Sequence, residues 1–200
     1  MLSKSYGDHR AQTATPSVTL TERPEQALFH LTVSVETDSA SAALPLLKRA
    51  VQRLEDLLPP LGAKLSVTDY DLPSGGGKAS ELGSQLHATL TLPFAKDASF
   101  WDRAQRLAQI DGLLRALVLE GKKQKPALEV RFDLPAFVVA DPEARRAALV
   151  ARLHERARSL GHDVTLKELH FDRPVEQRSV SLEEVQLSLT VDGVAEVALR

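Results

Sequence analysis

The amino-acid sequence predicts an α+β fold, with three helices and an antiparallel or mixed sheet of about seven or eight strands. Apolar residues alternate with period two in several segments and recur at three- and four-residue steps in three others. The predicted order is strand-strand-helix-strand-strand-helix-strand-helix-strand-strand. Adjacent strands with no helix between them favour antiparallel or mixed pairing. Two strand-helix-strand-strand stretches suggest two similarly arranged halves.

The composition is that of an ordinary globular protein with an aliphatic core. The chain is 43% hydrophobic and 26% charged, and its formal charge of −2 gives no general attraction to nucleic acid or acidic membranes. Aromatic residues make up 4%, which argues against stacking platforms for bases. Cysteine is absent, which excludes disulfides, thiolate metal sites and thiol catalysis.

The start of the chain bears on location. Residues 1–15 are polar, so we expect a flexible N-terminal segment followed by one domain over residues 16–200. There is no apolar export segment at the start, and no run approaches the ~18 apolar residues of a membrane span. We expect a cytoplasmic protein if Met1 is the native start, and a periplasmic one if an export signal was removed.

Two strands are predicted first. Ser17–Glu22 is a short strand that Arg23-Pro24-Glu25 breaks. In the second, apolar residues stand at the odd positions from 29 to 35 and polar residues at the even positions from 30 to 36, so His30 lies on the polar face.

A helix comes next, for which Asp38, Ser39 or Ser41 can provide the cap. Pro45 must fall in or before the first turns, because deeper in the helix it breaks a hydrogen bond. The predicted buried stripe is Leu44, Leu47, Val51, Leu54 and Leu58. The helix ends at Pro59-Pro60 and Gly62, and a weaker strand covers residues 65–70.

Residues 73–81 form a glycine-rich loop that contains Lys78. A phosphate-binding loop requires G-x-x-x-x-G-K-[ST], whereas Lys78 is followed by Ala79 and then by a strand. We therefore predict a flexible hairpin loop that binds no nucleotide.

The middle of the chain shows the clearest alternation, over residues 86–94, with His87 on the polar face. Ser99 begins a capping box for a helix that ends at Gly121. Trp101, in its first turn, is expected to cover the core. The predicted stripe of this helix is Ala104, Leu107, Ala108, Ile110, Leu114, Leu117 and Val118. Lys122, Lys123 and Lys125 follow as a solvated basic loop.

A strand over residues 128–134 leads toward Val138 and Val139, and a third helix follows. Asp141 can cap this helix, Pro142 suits its first position, and Gly161 suits the left-handed turn after its end. Its predicted apolar stripe is Ala147, Val150, Leu153, Ala157 and Leu160.

The C-terminal part contains the remaining strands. One covers residues 164–169, and a second runs from Val180 to Val191. Asp192-Gly193 is a strong two-residue hairpin signal, after which residues 194–199 return as a last strand.

Several segments together resemble the SIMPL family. They are S-V-T-L-T-E at 17–22, L-T-V-S-V-E-T-D-S-A-S-A-A-L at 31–44, L-H-A-T-L-T-L at 86–92, L-V-L-E-G at 117–121, and F-V-V-A-D-P-E-A-R-R continuing to glycine at 137–161. The resemblance covers about residues 16 to 191. It implies an α+β fold, assembly into rings or larger oligomers, and association with stress defence or signalling adaptors, with no catalytic residues to carry over. The chain departs from the family at residues 21–24, where a glycine-containing turn is usual, and in having no export signal.

Three functional hypotheses follow. The first is a non-enzymatic scaffold or interaction protein that forms a homo-oligomer and binds a protein partner of unknown identity, with no catalytic, cofactor or metal residue assigned. The second is a small-ligand-binding protein or enzyme with a pocket between sheet and helices; its candidate polar residues are His30, His87, His154, His162 and His170. The third is a nucleic-acid binder that uses Arg145, Arg146, Arg152, Arg156 and Arg158, but these scatter around the helix, and we expect no nucleic acid and no membrane span.

The C-terminal end gives one expectation about assembly. Val194, Val197 and Leu199 are apolar, whereas exposed tails are normally polar, so something should cover them. Pairing within the chain and contact with a second copy explain this equally well. The resemblance favours the second copy.

Overall fold

The computed structural model describes residues 17–71, 83–159 and 164–197, with side chains described for all of these except 164–169 and 193–197. The fold is α+β, as predicted. In the described part the α-helices are α1 (Ala40–Leu57), α2 (Phe100–Gly121) and α3 (Arg146–Ser159). The strands are β1 (Ser17–Glu22), β2 (Gln26–Glu36), β3 (Lys64–Asp71), β4 (Gly83–Pro93), β5 (Leu128–Phe132), β6 (Ala136–Val138), β7 (Val164–His170), β8 (Glu176–Ser181), β9 (Glu184–Thr190) and β10 (Asp192–Val197).

The strands are divided among three sheets. A five-stranded sheet has the order β3-β4-β2-β5, with β6 also beside β2; a three-stranded sheet has the order β1-β9-β8; and β7 pairs with β10. The described residues separate into two compact units. The large unit contains residues 23–140 and 179–184, and the small unit contains the others. The expected division at residue 16 stays a prediction, because residues 1–16 lie outside the described part.

The large unit is organised around β2. This strand pairs antiparallel with β4 over its whole length, and with β5 and β6 on its other side. The predicted alternation is confirmed: Phe29, Leu31, Val33 and Val35 are buried, and His30 is exposed. One face of β2 therefore belongs to the apolar core and the other to the polar face of the sheet.

Helix α1 begins as predicted, and four of the five residues of its predicted stripe are buried: Leu47, Val51, Leu54 and Leu58. The Ser39 Oγ accepts a hydrogen bond from the Ala42 N–H at 3.3 Å. Leu44 is 50% exposed and Ala43 is buried in its place, so the expectation for Leu44 was wrong. The reason is geometric, because the buried stripe continues from Leu47 back to residue 43, four positions earlier. Pro45 lies in the second turn.

Helix α2 has the predicted capping box, in which Asp102 Oδ2 accepts from the Ser99 N–H at 2.9 Å and Ser99 Oγ accepts from the Asp102 N–H at 3.2 Å. The Ser99 hydroxyl, which donates to Asp102 Oδ2 at 2.7 Å, and then the Ser99 N–H lower the pKa of Asp102. Trp101 does not cover the core: it is 77% exposed, with its ring against the Phe100 ring. Ala108, placed on the stripe by the sequence, is exposed as well. The buried positions are 103, 110, 114, 117 and 121, and neither residue lies on that line.

The chain after α2 returns directly to the sheet. Gly121 is required there, since a Cβ atom on it would lie 2.5 Å from the Leu128 carbonyl oxygen. The predicted strand is shorter than expected and ends at Phe132, and Leu134 is 92% exposed. Pro135 follows and has no N–H to offer the ladder, so the edge is interrupted before β6.

In the small unit, Asp141 caps the start of the predicted helix, accepting from the Ala144 N–H at 3.2 Å. The first turn, Glu143–Arg145, is a 3-10 helix, and α3 follows it. The buried residues of α3 are Leu149 and Leu153, whereas Ala147 is exposed, so the expected stripe was right at 153 and wrong at 147. Positions 149 and 153 are four apart and share a face. Leu160 and Gly161 lie outside the described residues.

Two predictions about the C-terminal strands were wrong. The strand expected from Val180 to Val191 is a hairpin, β8 and β9, that turns at Leu182-Glu183. Asp192-Gly193 is no hairpin turn, because β9 continues almost directly into β10, which pairs antiparallel with β7. The last strand therefore has a partner in its own chain, one of the two explanations that the sequence left open. No described helix is long and apolar enough to cross a membrane.

Candidate functional site

The sheet register brings together two of the five candidate histidines. His30 lies opposite Thr89 and His87 lies opposite Thr32, so the two imidazoles are diagonal neighbours on the polar face of the large sheet. The other described candidates are elsewhere: His154 is exposed on α3 and His170 is exposed at the end of β7. His162 and Lys78 lie outside the described residues.

A hydrogen-bonded chain crosses this polar face. Asp71 Oδ2 lies 3.1 Å from His87 Nε2, and His87 Nδ1 lies 3.2 Å from Thr32 Oγ1. Beside it, His30 Nδ1 lies 3.4 Å from Thr89 Oγ1. The order carboxylate–imidazole–hydroxyl is the one that hydrolases use to activate a hydroxyl nucleophile.

The backbone around Thr32 limits what this chain of groups can do. Acyl transfer needs N–H donors that converge on the developing oxyanion. Strand β2 is paired on both sides at Thr32, with His87 on β4 and Arg131 on β5, so the N–H groups there are used in the ladder. The arrangement can orient the His87 ring and pass a proton. Among the described residues, no group of three His, Asp or Glu side chains is placed to hold a metal ion.

A groove in the large unit corresponds to the pocket between sheet and helices that the sequence left as an alternative. It lies between α1, the end of α2 and β5, and has a volume of about 580 Å³. Its apolar surface comes from Ala50, Leu117, Leu128 and Val130, and its cations are Lys48, Arg49 and Arg53. Arg53 is paired with Glu120 at 2.9 Å. None of the four described candidate histidines lines this groove.

Arg103 is a buried charge that the sequence reasoning did not single out. It is 1% exposed, its guanidinium carbon lies 5.1 Å from the centre of the Phe94 ring, and its Nη1 donates to the Leu182 carbonyl at 3.2 Å. Burial lowers its pKa, Arg23 lowers it further, and Glu183, at 3.7 Å, opposes that shift. Glu183 also accepts from Arg23 at 2.9 Å. The sequence pattern could have indicated this burial, because Arg103 lies four positions before Leu107 and therefore on the apolar stripe of α2.

The arginines of the third helix do not form a common binding surface. Arg145 pairs with Glu22 at 3.4 Å. Arg146 donates to the Phe171 carbonyl at 2.7 Å and to Glu143 Oε2 at 2.7 Å. These two side chains hold the small unit together. The remaining three are exposed along the helix at 152, 156 and 158.

Strand β8 is the least covered strand whose side chains are described. All six of its residues are exposed, and its one strand neighbour within the described part is β9; on β6, the Phe137 N–H donates to Ser179 Oγ at 3.0 Å. Glu176 and Arg178 lie on the same side of this strand, two positions apart. The structure shows no ion pair for either side chain among the described residues.

Comparisons with known proteins give little further information. No family model matches the sequence, and no curated protein matches it. A solved structure with some likeness is an amidase of the hydantoinase/carbamoylase family from Burkholderia phymatum, at 18% identity and a TM-score of 0.37. The match covers 66% of this chain and 33% of that one, so the chain spans about a third of the amidase. A likeness this weak supports no conclusion about activity.

Proposed function

We propose that this chain is a non-enzymatic, SIMPL-like interaction protein that assembles with copies of itself. The observation that supports the proposal is β8, a strand whose six residues are all exposed and whose one strand partner in the described part is β9. An edge strand presents unpaired N–H and C=O groups that another strand can satisfy. The hydrogen bonds of the backbone then provide the contact, and no catalytic residue is required.

The edges of the large sheet contrast with β8. Strand β3 carries a bulge between Val67 and Asp69, and such bulges hinder pairing with another chain. The edge formed by β5 and β6 is interrupted at Pro135. Strand β8 contains neither proline nor glycine. Part of β8 is already in contact with β6, because the Phe137 N–H donates to Ser179 Oγ at 3.0 Å, so a further strand would have to pair with β8 outside that contact.

The direct test is the molar mass of the full chain by light scattering over a range of concentrations. The proposal predicts a mass that rises to at least twice the 21.8 kDa of one chain. A protein that stays at the mass of one chain up to high micromolar concentration would falsify it.

The groove beside α1 supports a second candidate function, binding of a small amphipathic anion. Its apolar floor suits a hydrocarbon group, and Lys48 and Arg49 suit a carboxylate. Calorimetric titration with octanoate tests this candidate. Saturable binding that Arg49→Glu removes, and that Arg152→Glu on α3 leaves unchanged, supports it; absence of heat at millimolar octanoate rejects it.

A further inference from the structure

We propose that the groove between α1, the end of α2 and β5 selects amphipathic monocarboxylates, and that Arg49 and Arg53 hold the carboxylate after Arg53 has exchanged Glu120 for it. This inference rests on the second candidate function above. It adds the residues that bind the carboxylate, the class of ligand that is selected, and a competing group within the chain. The observations behind it are the charges that line the groove, the pairing of those charges and the apolar floor.

Two arginines on α1 share one carboxylate. Arg49 and Arg53 stand four positions apart, so their side chains lie on one face of the helix, and both line the groove. Like charges at this spacing repel each other. Glu120 on α2 neutralises one of them, because its Oε2 lies 2.9 Å from Arg53 Nη2. Arg49 has no ion pair among the described residues. An anion between the two guanidinium groups would remove their repulsion.

The ion pair between Arg53 and Glu120 can open without disturbing the fold. The two side chains are 54% and 42% exposed. Exposed ion pairs contribute little to stability, because water solvates the separated charges. Leu114 and Leu117 are buried on α2 and hold the end of this helix against the core without the ion pair. Glu120 and a ligand carboxylate therefore compete for the same guanidinium group, and Glu120 lowers the affinity for the ligand.

The net charge of the groove favours a ligand with one negative charge. Three cations and two carboxylates line it, which leaves one net positive charge. A monocarboxylate balances that charge and places its hydrocarbon group on the apolar floor. A dicarboxylate of the same length would have to place its second charge on the floor without a partner, which is unfavourable. An alcohol of the same length keeps the apolar contact but loses the ion pairs.

Calorimetric titration of the full chain with octanoate, 1-octanol and suberate tests this selection. The original chain should bind octanoate saturably, and should bind octanol and suberate at least about tenfold more weakly, because charge-assisted hydrogen bonds to the arginines are lost or offset. Glu120→Gln should lower the Kd for octanoate about fivefold, since the competing carboxylate is removed. Arg53→Gln should raise that Kd about tenfold.

Asp111→Asn is the matched control. It breaks the exposed ion pair between Arg115 and Asp111 on the same helix, which does not line this groove, and should leave the Kd for octanoate unchanged. Circular dichroism confirms folding; if Arg53→Gln does not fold, Glu120→Gln and the suberate comparison still test the inference. An unchanged Kd in Glu120→Gln, or suberate bound as tightly as octanoate, overturns the inference while binding in the groove stands. No saturable binding of octanoate to the original chain overturns both.

Discussion

The two units of this protein are stabilised by different means. The large unit has one continuous apolar cluster that joins its five-stranded sheet to α1 and α2. The small unit has a helix with only Leu149 and Leu153 buried among its described residues, and a three-stranded sheet whose buried residues come mostly from β9. Among the residues whose side chains are described, the large unit shows the more extensive apolar burial, and the small unit shows a cluster of polar contacts as well.

Those polar contacts gather where α3 begins. The Glu143 carboxylate accepts from the Val175 N–H at 2.7 Å and from Arg146. Arg146 also donates to the Arg173 carbonyl at 2.9 Å. Because residues 171–175 lead directly into β8, the start of α3 positions the strand that we propose for assembly. Residues 176–178 of β8 belong to the small unit and follow directly on this polar cluster.

The largest loss of stability is expected at the centre of the large unit. Leu31→Ala on β2 should cost about 3–5 kcal/mol, because Leu31 is buried in the paired central strand and the change leaves a cavity. Urea denaturation measures this. Leu134→Ala is the control and should cost under ~0.5 kcal/mol, since its side chain is exposed. A small effect at Leu31 would mean that the apolar cluster does not provide most of the stability of the large unit.

In the small unit, Leu153→Ala should cost about 2–4 kcal/mol, because Leu153 is buried on α3 and the change leaves a cavity. Arg152→Ala, next to it on the exposed side, should cost under ~0.5 kcal/mol. The measurement is again urea denaturation. Equal losses from the two substitutions would show that the buried face of α3 is assigned wrongly.

A smaller effect is expected at the buried charge of the large unit. Glu183→Ala leaves Arg103 without its nearest carboxylate and should cost about 1–2 kcal/mol. The further substitution Arg103→Met removes the buried charge and should recover part of that loss. If the double variant is less stable than Glu183→Ala alone, the hydrogen bond from Arg103 to Leu182 matters more than the charge.

The small unit should also depend on pH in a defined direction. The hydrogen bond from Arg146, then that from the Val175 N–H, lowers the pKa of Glu143 below its ordinary 4.5. The unfolded chain therefore binds this proton at higher pH than the folded chain does. The stabilisation is present above about pH 4.5 and is lost as the pH falls through the folded pKa.

Glu143→Gln should therefore lower stability at neutral pH and flatten its decline on acidification. Thermal unfolding followed from neutral pH to pH 3 checks this. Glu155→Gln, on the exposed face of α3, is the control. If Glu143→Gln left the acid dependence of stability unchanged, the contacts of Glu143 would not be what stabilises the small unit.

The elements that could be predicted from sequence are those that local patterns determine. The alternation in β2 and β4 and the caps at Ser39 and Ser99 depend on neighbouring residues, and the structure confirms them. The turn at Leu182-Glu183 contains no glycine, proline or asparagine, so no residue in the sequence indicated a turn there. Asp192-Gly193 has a strong local signal for a turn, but long-range pairing of β10 with β7 prevails there.

The candidate site depends on information that a single sequence does not contain. The contact of His87 with Thr32 and Asp71 requires the register of three strands. The exposure of β8 requires the order of its sheet. Arg103 could have been found, because its position follows the stripe of α2.

The most direct test of the central claim is amide hydrogen exchange of the full chain at low and high concentration. If β8 pairs with a second copy, those amides of Glu176–Ser181 that exchange at low concentration become protected as the concentration rises. The amides of β3, on the edge of the large sheet, should not change. Concentration-independent exchange in β8, with protection appearing instead elsewhere, would contradict the assignment of β8 as the assembly surface.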